Sequence, residues 1–249
     1  MSIGIKSATE LAAMRRAGKT LAGILEVVRA AVRPGITTAE LDRLARAEMA
    51  RRGVKPSFLG YQGFPATICV SVNEQIVHGI PGERVLAEGD IVSLDIGDIQ
   101  DGFQADMAIT IPVGQASPEA LRLIAATEGA LVAGIEQARP GKRLGDLSSA
   151  IQQYGESRGY SVVREYTGHG IGREMHEEPQ VPNFGFTGTG PEFKAGMTIA
   201  IEPMLCVGDW HTRVGANCWT VSTADGKLSA HFEHTVAITE GEPEVLTAL

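Results

Sequence analysis

Long apolar runs are missing from this sequence. Lys6, Glu10, Arg15, Arg16 and Lys19 interrupt the first twenty residues, and no later segment approaches the roughly 20 apolar residues that a bilayer-spanning helix needs. Neither a secretory leader nor a membrane span is expected, and a cytoplasmic protein is. Cysteine is also scarce. Cys69, Cys206 and Cys218 are odd in number and show no C-x-x-C spacing, and a chain this long has no need of disulfide staples. Reduced thiols are expected, and a thiolate zinc site is excluded. Positive charge is in deficit, since the net charge is −8, which argues against specific nucleic-acid binding. The charge is uneven, however. Residues 1–56 hold 11 Lys or Arg against 5 acids, and the remainder holds 11 against 25. Solvated helix faces account for the basic part most simply. The acidic part has a second explanation, carboxylates gathered around cations.

What is present is strongly patterned. Ser7-Ala8-Thr9-Glu10 is a capping box, and Leu11, Met14, Gly18, Leu21, Leu25, Val28 and Val32 follow at three- and four-residue spacing, which predicts a long amphipathic helix. Arg33-Pro34-Gly35 stops it. A second box, Thr37-Thr38-Ala39-Glu40, opens a helix through Leu41, Leu44 and Met49 that ends at Arg52-Gly53. From about Phe64 to Val113, short β-branched runs separated by Gly, Pro and Asn turns predict strands.

The chain also repeats itself. Arg33-Pro34-Gly35, Leu41 and Arg52-Gly53 recur 106 residues later as Arg139-Pro140-Gly141, Leu147 and Arg158-Gly159. Gly89-Asp90-Ile91-Val92-Ser93-Leu94-Asp95 aligns with Gly196-Met197-Thr198-Ile199-Ala200-Ile201-Glu202 at a spacing of 107, and in both an apolar run ends on a carboxylate. Four matches in register imply a duplicated α/β unit, with a period too long for a solenoid. One catalytic domain over 1–249 is expected, with halves at approximately 7–113 and 117–240 related by a pseudo-twofold axis. Ligands are expected where the halves meet.

Asp101-Gly102 is a two-residue hairpin signal. It sets Asp95 opposite Ala108 and brings Asp106 onto the same face as Asp95, roughly 7 Å away or less. Two carboxylates so close repel unless a cation lies between them. Taken alone, such a pair would be read as solvated acids on an exposed face. Two further acids in apolar runs, Glu202 and Glu233, change that reading, because buried acids are rare without partners. His169 sits in Gly168-His169-Gly170-Ile171-Gly172, where the backbone can approach a ligand closely and the ring can reach a cleft. Four carboxylates and one imidazole suit Mn, Fe(II), Co or Zn and suffice for two ions.

Asp95, Asp106, His169, Glu202 and Glu233 stand in the order and setting of the metal ligands of the type I methionine aminopeptidase family. The surrounding segments resemble that family over nearly the whole chain: Asn73-Glu74, His78-Gly79-Ile80-Pro81, Asp101-Gly102-Phe103, Thr167 to Arg173, His176-Glu177-Glu178-Pro179, Ile201-Glu202-Pro203, Trp219-Thr220 and Glu233-His234-Thr235. The resemblance implies an α/β (α+β) pita-bread fold, with two pseudo-twofold-related halves around a curved antiparallel sheet and helices outside. It implies a dinuclear hydrolase holding two divalent metal ions (Co, Mn, Fe(II) or Zn), which removes the initiator methionine from nascent chains when the second residue is small. By resemblance, Glu202 takes a proton from the attacking water, His176 contacts the scissile carbonyl oxygen and His78 the peptide nitrogen. Tyr61, Phe64, Cys69, Met175 and Trp219 form the methionine pocket. The implied partners are nascent N-termini, with transient ribosome association through the basic segment; the expected state is a monomer, and no membrane or specific nucleic acid is expected. Gln104, Ala105 and Met107 around Asp106, and Phe58, Gln62 and Met175 near the pocket, depart from the family's usual residues, so the supports of Asp106 and the pocket's shape are expected to differ. X-Pro peptidases of the same fold share the ligand set but usually carry a further N-terminal domain. A catalytically dead binding module would lack ligands, and here none is missing.

Overall fold

The structure, a computed structural model, describes residues 3–249; Met1 and Ser2, included in the expected domain, lie outside the described residues. The chain runs through α1 (Ala8–Ala31), α2 (Thr38–Arg52), β1 (Lys55–Pro56), a 3-10 turn at Tyr61–Gly63, β2 (Ile68–Val72), β3 (Gln75–Val77), β4 (Ile91–Gln100) and β5 (Phe103–Pro112). Next come α3 (Pro118–Ile135), α4 (Leu144–Glu156), β6 (Ser161–Val162), β7 (Gly168–Gly170), β8 (Glu177–Val181), β9 (Thr198–Ile201) and β10 (Met204–Cys206). The last strands are β11 (Thr212–Val214), β12 (Val221–Thr223), β13 (Ser229–His231), β14 (Glu233–Ala237) and β15 (Glu244–Val245).

Both predicted capping boxes form. The Ser7 and Thr37 side chains accept from the backbone N–H of Glu10 and Glu40, whose carboxylates reach back to the cap residues. Gly53 ends α2 in the left-handed region at φ 72, a conformation without steric cost only for glycine.

Among the described residues the main sheet has nine strands, ordered β1-β4-β5-β14-β9-β7-β8, with β2 on β4 and β15 on β14. Every pairing in it among the described residues is antiparallel, and β4-β5 on one side of its centre faces β14-β9 on the other. This is the pseudo-twofold arrangement of the pita-bread fold. The duplicated segments fall at matching places in it: Gly35 and Gly141 stand at φ 89 and 83, and Gly89 and Gly196 both at φ 89 just before β4 and β9. Alternation along β4 sends Val92, Leu94 and Ile96 into a core with Leu21, Leu25 and Leu41 of α1 and α2. The second half buries Leu131, Leu147 and Ile151 of α3 and α4 against Ile199, Ile201 and Val236. With helices covering one face, the opposite face of β4, β5, β9 and β14 is left for the site.

Asp95 does not end its strand, as the apolar run suggested. It is the fifth residue of a ten-residue β4, because pairing with β5 continues to the Asp101-Gly102 turn. Both turn residues have positive φ, 53 and 76, as a type I′ turn requires. The register is the expected one: Asp95 faces Ala108, and Asp106 faces Gly97.

Candidate metal centre and substrate cavity

Each carboxylate is delivered by a different strand. Asp95 projects from β4, Asp106 from β5 and Glu233 from the first position of β14, while Glu202 follows the last residue of β9. The main chain of Asp106 is fixed by Thr235 of β14, whose hydroxyl accepts from Asp106 N at 2.9 Å and donates to Asp106 O at 2.8 Å. This support crosses between the halves and does not involve the unusual Gln104, which instead donates to Arg173 O. The glycines around His169 act differently from expectation. A Cβ at Gly168 would lie 2.3 Å from Ala200 O, and one at Gly170 would lie 2.2 Å from Glu178 O. They let β7 pack between β9 and β8, and it is this packing that places the ring. His169 Nδ1–H donates to Gly170 O at 2.9 Å, which leaves Nε2 free to face the carboxylates.

His169 Nε2 stands 3.9 Å from Asp106 Oδ2 and 3.7 Å from Glu202 Oε1. These gaps exceed hydrogen-bond length. Among the described residues, Asp95 Oδ1, Asp106 Oδ1 and Glu233 Oε1 are buried with no hydrogen-bond partner. Burial, and next the neighbouring carboxylates, hold Asp106, Glu202 and Glu233 well above the ordinary carboxylate range. Burial pushes Asp95 up to about 7, with the Cys69 thiol pulling the other way. Burial, and then His176, bring His169 down to about 3, so its imidazole is neutral, as a ligand must be. Oxygen donors that repel one another, around a neutral nitrogen, fit divalent cations. Among the described residues two donor groups have their atoms within 4.8 Å of one another, Asp106-His169-Glu233 and Glu202-His231-Glu233.

All twelve site residues singled out in the sequence line one cavity of about 240 Å³. His78 sits just past β3 at φ 58, its ring edge-on to Trp219 and Tyr166 at 6.2 and 5.8 Å. Phe64 meets Trp219 edge-to-face at 5.1 Å, and Cys69 and Met175 are buried beside this aromatic wall. Tyr61 stacks on His176, its hydroxyl 2.8 Å from Nδ1. Burial lowers the His176 pKa, and that of His78 falls to about 4 through burial and, second, the nearby His176.

Tyr166 and His231 escaped the sequence reading. Tyr166 lies in a loop with no periodicity to mark it. His231 had a signal: it precedes Glu233 by two residues in an apolar stretch, the spacing that puts two side chains on one face of an extended chain.

This fold and this set of donors define a metallopeptidase, and the chain belongs to metallopeptidase family M24, whose model matches residues 12–240. Within that family it is similar to methionine aminopeptidases. It is 52% identical over 244 residues to the methionine aminopeptidase of Clostridium acetobutylicum, covering 98% of each chain. It is 49% identical to methionine aminopeptidase 1 of Bacillus subtilis, covering 97% of this chain and 98% of that one. The solved methionine aminopeptidase of Thermotoga maritima matches with a TM-score of 0.98 at 45% identity, over 100% of both chains. That of Rickettsia prowazekii matches at 0.98 and 42%, over 99% of this chain and 100% of the other. A Pyrococcus horikoshii prolidase, 22% identical with a TM-score of 0.80 over 98% of this chain and 63% of its own, shares the fold alone.

Proposed function

We propose that this protein removes the N-terminal initiator methionine of nascent chains when the second residue is small, as a metal-dependent aminopeptidase. The observation that carries the reading is the convergence of three buried carboxylates, a fourth that is half-buried and a neutral imidazole on one cavity with an aromatic and sulfur wall. Asp95, Asp106, His169, Glu202 and Glu233 would hold two divalent ions of the Mn, Fe(II), Co or Zn class. Ions bound there would polarise the scissile carbonyl and lower the pKa of an attacking water. Glu202, at the edge of the cluster and bordering the cavity, accepts the proton of that water. His176 donates to the carbonyl oxygen as charge develops: the Tyr61 hydroxyl lies 2.8 Å from Nδ1, and with that hydroxyl as the donor the imidazole hydrogen resides on Nε2. His78 contacts the peptide nitrogen. Phe64, Trp219, Cys69, Met175 and Tyr61 receive the methionine side chain, since aromatic and sulfur surfaces suit a thioether.

The whole of 1–249 acts as one catalytic unit, with halves at approximately 7–113 and 117–240, as a cytoplasmic monomer. Among the described residues no helix is long and apolar enough to cross a membrane. The excess of basic residues in 1–56 supports transient docking on the ribosome. Charge reversal at Arg51 and Arg52 that left ribosome co-sedimentation unchanged would count against this docking.

The test is hydrolysis of Met-Ala-Ser beside Ala-Pro-Ser by metal-stripped protein refilled with Mn, Co, Fe(II) or Zn. The expected result is metal-dependent methionine release that Glu202→Ala reduces by at least about 100-fold. Cleavage confined to Ala-Pro-Ser would transfer the protein to the X-Pro peptidases. Turnover of neither peptide despite bound metal would make it a binding module.

A further inference from the structure

A second imidazole faces the carboxylate cluster. His231 closes β13, two residues before β14 begins with Glu233, and it is only 1% exposed. Its main chain is held from both sides by the Thr110 hydroxyl, which accepts from His231 N at 2.8 Å and donates to His231 O at 2.7 Å. The ring has no such support: among the described residues neither Nδ1 nor Nε2 has a hydrogen-bond partner. An imidazole buried in this way forfeits its hydration for nothing unless something else meets it. Nε2 points between two acids, 3.9 Å from Glu202 Oε2 and 3.8 Å from Glu233 Oε2. Both gaps are too long for hydrogen bonds. They reproduce the 3.9 and 3.7 Å that separate His169 Nε2 from Asp106 and Glu202. Two donors that each stand about 2.1 Å from a shared cation are roughly 3 to 4 Å apart, depending on the angle between them.

We propose that His231 is a nitrogen ligand of the metal centre, completing with Glu202 and Glu233 a cation position that shares Glu233 with the position of Asp106 and His169. The proposal rests on the metal-centre reading above and adds to it a donor outside the five ligands implied by the resemblance. It carries a consequence for metal choice. A second imidazole moves the donor set away from all-oxygen coordination, which suits Mn, and toward Zn, Co and Fe(II).

The test counts imidazole ligands directly. Chelator-stripped protein is reloaded with Co(II), and the solvent-exchangeable imidazole N–H resonances shifted by the paramagnetic ion are recorded by proton NMR. Two are expected in the native chain, one lost in His231→Asn and the other in His169→Asn. In His231→Asn, Zn affinity for the more weakly held ion falls at least about tenfold, and Mn affinity changes less. His231→Gln, which keeps a polar side chain of similar reach, is measured in parallel with circular dichroism melts of both variants, so that at least one folded variant reports. A single shifted resonance in the native chain, unaffected by either His231 substitution and accompanied by unchanged Zn affinity, would overturn the proposal and leave the five-ligand centre standing. Failure of the native chain to take up Co(II) would overturn both.

Discussion

At the residue scale, the acid that fits least well is outside the site. Asp98 shares the strand face of Val92, Leu94 and Ile96, the face turned to the helices, and it is 0% exposed. Among the described residues neither of its carboxylate oxygens has a partner, and burial holds its pKa well above the ordinary value. A folded-state pKa above the unfolded one favours folding only while the group is protonated; the advantage is complete below about 3.9 and is lost as pH rises toward the folded value. Asp98→Val is therefore expected to raise stability at pH 7 by about 1–3 kcal/mol, with the gain shrinking as pH falls toward 4. Urea unfolding of both chains at the two pH values checks this; a gain independent of pH would assign the effect to packing instead.

Element-scale behaviour follows from the duplication. Thr37 and Arg143 hold equivalent N-cap positions 106 residues apart, and Glu40 and Asp146 each return a carboxylate oxygen to the cap N–H, at 2.8 and 2.7 Å. Only Thr37 also offers a side-chain acceptor, bonded by Glu40 N at 3.2 Å, whereas Arg143 makes no side-chain cap. Thr37→Ala is expected to cost about 1 kcal/mol of stability, and Arg143→Ala less than half of that. Denaturant midpoints at constant m-value decide it. Equal losses would show that the cap hydroxyl contributes nothing beyond the carboxylate.

At the scale of the whole molecule, the site is a point of strain between the two halves. Four acids, two from each half, are gathered together with their pKa values raised, so the cation-free fold bears their mutual repulsion. Cations that bind only the folded chain stabilise it by about 2.7 kcal/mol at a hundredfold excess over Kd, and for a chain of this length that is roughly 5–10 °C in Tm. Chelation is expected to lower Tm by that amount at pH 7, and Zn or Co to restore it. A melting temperature indifferent to chelator would mean that the acids are neutralised by protons alone. The basic segment shows local order of a different kind: Arg51 and Arg29 pair with Glu48 and Glu26 on their own helices, and Arg15 and Arg16 reach Glu244 and Asp101. Much of its charge is thus engaged on the protein's own surface.

Local signals in the sequence determined the helix caps, the Asp101-Gly102 hairpin with its register, and the repeat, because each depends on residues within a few positions or on a fixed period. They also marked five candidate donors, as acids and a histidine set among apolar or small neighbours. Only the tertiary structure decided that Asp95 lies in mid-strand, that Gly168 and Gly170 serve strand packing, that Thr235 supports Asp106 across the halves, and that His231 joins Glu202 and Glu233. The glycine packing and the Thr235 support depend on strands far apart in sequence meeting in one sheet, and the approach of His231 to Glu202 depends on two sheets meeting; the extent of β4 beyond Asp95 depends on how far its pairing with β5 runs.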